Sequence, residues 1–216
     1  MVGHLISAAL LAFCVSGLSQ LAAQPLSNAA DPITVLLCDK AGLASTDKVK
    51  ARMQADRILK SAHVQLHWVV SETDESCVGP QLESYLSIIL VPERPKDLPA
   101  SAEAMGRAVL VGSAYPRAYV FLDRVRRFDV LNRTNNSSSN LGVILGHAIS
   151  HELGHLIGLP HTSIGIMRAQ WGRQEWVAAV AGGLVFSRPD FKLSKLSHRM
   201  KDLQIRESVN PSSGSW

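Results

Sequence analysis

The chain has 216 residues, of which 46% are hydrophobic and 19% are charged. This composition is typical of a single globular domain and excludes a disordered or collagen-like chain. The formal net charge of +4 is mildly basic and does not by itself identify a partner. We expect no nucleic-acid binding.

The N-terminus predicts an export signal. Residues 5–23 are mostly apolar and contain no Lys, Arg, Asp or Glu, and small residues precede Pro25. This pattern is typical of a signal peptide, so we expect residues 1–24 to be removed, leaving no membrane span. A retained anchor is the alternative, because about 19 apolar residues can cross a bilayer. In either case we expect the domain outside the cytoplasm, secreted or periplasmic.

Removal of the signal leaves two cysteines, Cys38 and Cys77. An even number of cysteines in an oxidising compartment favours a disulfide between them. Two buried free thiols are the alternative.

The residues after the leader predict a helix among several strands. The continuous apolar run at residues 33–38 predicts a buried strand. The spacing of apolar residues in 44–61 predicts an amphipathic helix capped by Ser45 or Thr46. Four further segments have the composition of strands: residues 64–70, 85–91, 107–111 and 117–122. The order is therefore βαβββ, with one more short strand.

The second half predicts loops and helices. Residues 124–133 and the polar residues after them are interpreted as solvated connectors, with an anionic binding patch as the alternative. Asn140 or Ser139 is then expected to cap a helix that continues to about residue 157. A last helix is predicted over 187–206.

The helix after Asn140 carries the spacing of a metal site. His151, Glu152 and His155 form the pattern H-E-x-x-H. Four residues advance about 1.1 helical turns, so both imidazoles project from one face and can reach a single ion. Gly158 is expected to end the helix with a positive φ, so that His161 returns as a third ligand. Three imidazoles and a water make an open, catalytic zinc site.

These residues resemble the metzincin peptidases, whose motif H-E-x-x-H-x-x-G-x-x-H is matched at every fixed position. Gly165-Ile166-Met167 is similar to the family's Met-turn, in which Met167 would be a packing floor beneath the metal. Ala169 stands where some metzincins place a Tyr ligand, and we assign no subfamily.

The resemblance covers about residues 33–167 and implies an α+β fold. An N-terminal mixed β-sheet with a backing helix and the active-site helix would be followed by a small C-terminal helical subdomain. We expect one catalytic domain over 25–210, with an upper subdomain over 33–158, a lower one over 159–206, and a flexible tail after residue 210.

The resemblance also implies a zinc-dependent endopeptidase, expected to be a monomer, with one catalytic Zn²⁺ and a peptide or protein substrate. Glu152 would be the general base. An extended substrate would pair with the edge strand formed by Arg107, Ala108, Val109, Leu110 and Val111.

Alternatives remain at this point. The protein could be a zinc hydrolase of a non-peptide bond, a non-catalytic zinc-dependent binding module, or a membrane-tethered structural protein with an accidental motif. His147, one turn before His151, is expected to play a structural or supporting role and not to bind the metal. Trp171 and Trp176 are expected in the core or in a pocket wall.

Overall fold

The computed structural model describes residues 32–71, 77, 85–110, 116–134 and 138–187. These residues form an α+β fold, as predicted, with a five-stranded mixed sheet and four helices. The elements, in chain order, are β1 (Ile33–Asp39), α1 (Ser45–Ser61), β2 (Leu66–Ser71), β3 (Leu86–Val91), β4 (Gly106–Val109), β5 (Arg117–Phe121), α2 (Leu122–Asn132), α3 (Leu141–Leu156) and α4 (Arg173–Val180).

The strand order in the sheet is β2-β1-β3-β5-β4. The neighbouring strands β2 and β1, β1 and β3, and β3 and β5 are parallel, whereas β4 runs antiparallel to β5. The apolar β3 lies at the centre, and all six of its residues are buried. The short strand β4 occupies one edge, so the backbone groups on its outer side have no neighbouring strand in the described structure.

Helices α1 and α3 pack closely against each other on one face of the sheet. Gly142 and Gly146 make this approach possible, because a Cβ on Gly146 would lie only 2.6 Å from the Ala51 carbonyl oxygen. Most of α3 is buried, including its polar residues His147, Ser150 and Glu152. A helix that is apolar almost all round belongs in a core, and here it places Glu152 against the edge strand β4.

The interpretation of residues 124–133 as a solvated connector was wrong, because residues 124–132 belong to α2. Leu122 and Val125 face the core, while Arg126 and Arg127 are exposed. The third inward position is occupied by Asp129, so the apolar periodicity is too short to predict a helix. Asp129 accepts hydrogen bonds from the Trp176 indole and from Ser139, and thereby links α2 to α4 and to the start of α3.

The predicted caps are only partly correct. Helix α1 begins at Ser45 and has no side-chain cap, so the expectation of Ser45 or Thr46 was wrong. The Asp39 carboxylate instead accepts the Leu43 amide just before the helix and pairs with Lys48 in its first turn. At α3, Asn140 occupies the N-cap position as predicted but makes no capping hydrogen bond with its side chain, and the Ser139 hydroxyl before it accepts the Leu141 amide.

A disulfide joins Cys38 and Cys77, whose Cα atoms are 5.5 Å apart. It lies on the sheet face opposite α1 and α3, where Cys38 packs with Ile89 and Phe121. The disulfide is consistent with the expected location outside the cytoplasm.

Several sequence predictions lie outside the described residues. These are the signal at 1–24, the last helix beyond Ser187, the tail after residue 210, and Val111. Among the described helices, none combines the length and the apolar character needed to cross a membrane.

The disulfide is expected to contribute substantially to stability. It links residues 39 positions apart. Closing a loop of that size lowers the entropy of the unfolded chain and thereby raises its free energy by about 4 kcal/mol. We expect the double variant Cys38→Ala, Cys77→Ala to lose about this free energy of unfolding in urea titrations. Reductant should destabilise the wild type similarly and leave the variant unchanged, and equal stability of the two proteins without reductant would contradict the prediction.

Candidate metal centre

Three histidines converge at the end of α3. His151 and His155 lie one turn apart on the helix, and Gly158 then adopts φ 92°, the left-handed conformation predicted for it. The chain reverses there and brings His161 back beside the helix. The Nε2 atom of His155 lies 3.0 Å from that of His151 and 3.1 Å from that of His161. One ligand atom of each side chain falls within 4.8 Å of the others, so the group could hold a metal ion.

Backbone carbonyls orient two of these imidazoles. His151 Nδ1 lies 2.7 Å from the Ile166 carbonyl oxygen, and His155 Nδ1 lies 2.9 Å from that of Leu159. A carbonyl oxygen only accepts, so each Nδ1 must carry the proton and each Nε2 a lone pair. Metal-binding histidines are held in this way, with the outer nitrogen donating to a carbonyl.

The spacing of the lone pairs fits a cation. Neutral imidazole nitrogens about 3 Å apart would repel one another if nothing lay between them. Tetrahedral zinc, with Zn–N bonds of about 2.0–2.1 Å, places its nitrogen ligands roughly 3.3 Å apart. The observed Nε2 separations are close to that value. The donor set therefore fits a three-histidine metal site.

Burial keeps these ligands in the form that binds metal. The pKa of His151 is lowered to about 4, mainly by burial and also by the neighbouring His155 and His161, while the hydrogen bond to Ile166 works in the opposite direction. Burial also lowers the pKa of His155. Both imidazoles are therefore neutral at pH 7.

Glu152 lies beside the histidines and is almost completely buried. Burial raises its pKa to about 8, against the opposing effects of the Arg107 charge and the hydrogen bond from the Ala108 backbone. Its Oε2 atom has no hydrogen-bond partner in the described structure. A buried carboxylate oxygen without a partner is rare and indicates a ligand or water that belongs there.

Gly106, the first residue of β4, makes room for this carboxylate. A Cβ at that position would lie 2.6 Å from Glu152 Oε1 and 2.8 Å from its Cγ and Cδ. No real Cβ makes contacts that short. The sequence indicated Glu152 but not Gly106, because their proximity depends on how β4 packs against α3.

Met167 is fully buried against α3. A Cβ on Gly154, one residue before His155, would lie 2.5 Å from the Met167 sulfur. The backbone of the preceding residue, Ile166, orients His151. Met167 therefore packs under the histidines and is not among the residues that line the cavity in front of them.

A cavity of about 780 Å³ opens in front of the histidines. Glu152 and the three histidines line it on one side, and Gly106, Arg107 and Ala108 of β4 line it on another. Of the predicted edge-strand residues, Leu110 also lines the cavity but follows the strand, and Val109 lies in the strand without lining the cavity. The cleft therefore extends along the edge of the sheet.

Three further side chains considered in the sequence analysis, those of His147, Trp171 and Trp176, lie near the histidines or in the core behind them. His147 is not in the metal group, and its Nε2 lies 3.1 Å from the Gln54 side chain on α1. Trp171 lines the cavity with its ring centre 5.8 Å from that of His151. Trp176 is buried against Asp129. Both tryptophans thus take the core or wall positions expected for them.

One charge pair at the cavity was not foreseen from the sequence. Arg168, directly after Met167, forms an ion pair with Glu175 at 2.5 Å. Glu175 also accepts the Gly172 amide at the start of α4. Glu175 thereby caps α4, and its position three residues after Gly172 was the sequence signal that could have predicted this cap.

No protein-family model matches this chain, and no curated protein matches its sequence.

We expect the protein to bind one Zn²⁺ per chain. The variant His155→Ala should weaken zinc binding by at least roughly 100-fold, because the loss of a residue that only hydrogen-bonds a metal ligand already costs about 10–100-fold in affinity. Because the pKa of His151 is lowered to about 4, protons compete little for this ligand, and zinc should be retained at pH 6. Competition titrations with a chelator at pH 7.5 and 6 measure both effects.

The exposed His67 on β2 provides the control, and His67→Ala should bind zinc as the wild type does. Unchanged affinity in His155→Ala would contradict the assignment of the metal site.

Proposed function

We propose that this chain is an exported, zinc-dependent endopeptidase of the metzincin type. The observation that carries the proposal is the convergence of three histidine Nε2 atoms next to a buried carboxylate oxygen that has no hydrogen-bond partner in the described structure. A structural zinc site is usually closed by four protein ligands, whereas three ligands facing an open cavity are typical of a catalytic site.

A zinc ion held by His151, His155 and His161 would supply Lewis acidity, which lowers the pKa of water to about 7 and polarises a carbonyl. Glu152 would take the proton from the attacking water and deliver it to the leaving amine nitrogen. Burial raises the pKa of Glu152 to about 8, and a nearby cation favours its ionised form. Both forms are therefore accessible near neutral pH, as a residue that first accepts and then donates a proton requires.

The edge strand supports a peptide as the substrate. The outer side of β4 offers backbone donors and acceptors to an extended chain, and the strand lines the same cavity as Glu152. Addition of a peptide strand to a sheet edge would place backbone amides in front of the catalytic residues. The predicted signal and the disulfide support action outside the cytoplasm.

We expect Glu152→Gln to bind zinc normally and to cleave peptides at least about 100-fold more slowly, because the amide cannot accept the proton. Zinc stoichiometry and the cleavage of a proteome-derived peptide mixture, with and without a chelator, measure the two properties. The exposed Glu93, outside the cavity, provides the control, and Glu93→Gln should behave as wild type.

Full peptidase activity in Glu152→Gln would refute the proposed role of this residue. A zinc-loaded wild type that cleaves no peptide in the mixture would refute the peptidase assignment and favour a non-peptide substrate or a binding function.

We expect Gly106→Ala to retain zinc but to lower kcat by roughly 10- to 100-fold, because displacement of a catalytic group by about 1 Å has effects of this size. The added Cβ would collide with the Glu152 carboxylate, so this side chain must move. Peptide cleavage and zinc content measure the effect.

Gly183→Ala is the matched control, since its Cβ would meet nothing closer than 3.8 Å. If Gly106 acts through Glu152, adding Gly106→Ala to Glu152→Gln should cause no further loss. Additive losses in the double variant would contradict this explanation.

A further inference from the structure

Arg107 occupies the middle of β4, directly beside the catalytic residues. Side chains alternate along a strand, and the position of Gly106 faces Glu152, so Arg107 projects from the other face of β4. Its partner on β5 is Tyr119, which packs against the apolar cluster on that side of the sheet. Arg107 is exposed and is also one of the residues that line the cavity.

Arg107 is the cavity cation that lacks a carboxylate partner in the described part of the chain. Arg168, which also lines the cavity, is neutralised by Glu175. Glu103 contributes an exposed carboxylate to the cavity but forms no ion pair with Arg107. The charge of Arg107 nevertheless acts on the site, because it lowers the pKa of both Glu152 and His155.

We propose that Arg107 is a specificity residue that favours peptides carrying a carboxylate opposite it. The inference rests on the proposed function, in which the substrate pairs with β4. Residues directly opposite each other on neighbouring strands place their side chains on the same sheet face, about 4.5–5.5 Å apart at Cβ. A substrate residue paired with Arg107 therefore projects toward its guanidinium.

The carboxylate can come from two sources. An internal Asp or Glu side chain opposite Arg107 is one, and the C-terminal carboxylate of a peptide that ends there is the other. Opposite charges in an exposed cross-strand pair give a modest preference, roughly two- to fivefold over a neutral residue. Since the pair is exposed, salt should weaken the preference.

The test measures peptide binding and peptide cleavage in parallel. Peptides with Asp or Glu, Asn or Gln, and Lys are compared at each position, each with a free or an amidated C-terminus. Dissociation constants are measured on zinc-loaded Glu152→Gln protein, which separates binding from cleavage, and kcat/KM is measured on the protein with Glu152 intact. Each set is repeated with Arg107→Gln and with Arg107→Glu.

We expect the acidic preference to disappear in Arg107→Gln and to turn into a preference for Lys in Arg107→Glu. Arg126→Gln, which removes an exposed arginine of α2 outside the cavity, should keep the wild-type preference. Preference in amidated peptides identifies the side chain as the source of the carboxylate, and preference confined to free-acid peptides identifies the C-terminus.

The inference would be overturned if the parent protein showed no preference for acidic peptides, or if that preference were unchanged in Arg107→Gln. Charge-dependent binding without any cleavage would overturn only the proposed peptidase function, whereas cleavage without charge preference would overturn only the role of Arg107. Failure of every peptide to bind would overturn both.

Discussion

The site depends on two hydrogen bonds from imidazole Nδ1 groups to backbone carbonyls. By fixing the protons of His151 and His155 on their outer nitrogens, the carbonyls of Ile166 and Leu159 leave the inner lone pairs directed at one point. Both carbonyls lie in the segment that follows α3, on either side of His161. The same stretch of chain therefore supplies the third imidazole and orients the first two.

This arrangement requires α3 to be held rigidly, and its packing explains how. On one side, Gly142 and Gly146 let the helix approach the backbone of α1. On another, Gly154 lies against Met167, which fills the space below the histidines. The buried Asp129 connects α2 with α4 and with the start of α3. The residues that hold the helix are thus three glycines, Met167 and Asp129, and none of them lines the cavity.

Local patterns in the sequence predicted most of the fold. The bounds predicted for the five strands, for α1 and for α3 agree with the structure to within about two residues, because apolar periodicity acts over short distances. Neither α2 nor α4 was predicted. The grouping of the histidines was also predictable, since the helical repeat and Gly158 together determine where three side chains meet. Helix α2 was missed because Asp129 occupies a core-facing position that the pattern counts as exposed.

What sequence patterns could not provide are contacts between distant elements. The room that Gly106 leaves for Glu152 arises from the packing of β4 against α3, across more than forty residues of chain. The ion pair of Arg168 with Glu175 and the exposed position of Arg107 likewise follow from the tertiary arrangement. The likeness to the metzincins therefore remains a proposal based on the spacing and convergence of a few residues.

Within the described residues no strand lies on the outer side of β4, which has a consequence for contacts between two copies of this protein. An uncovered strand edge can pair with the same edge of a second molecule, which is a common start of aggregation. Pairing two copies along β4 would bring two Arg107 guanidinium groups into one narrow strip, where they repel each other. A charge on an edge strand is one of the ways in which proteins discourage such pairing, and Arg107 would have this effect here.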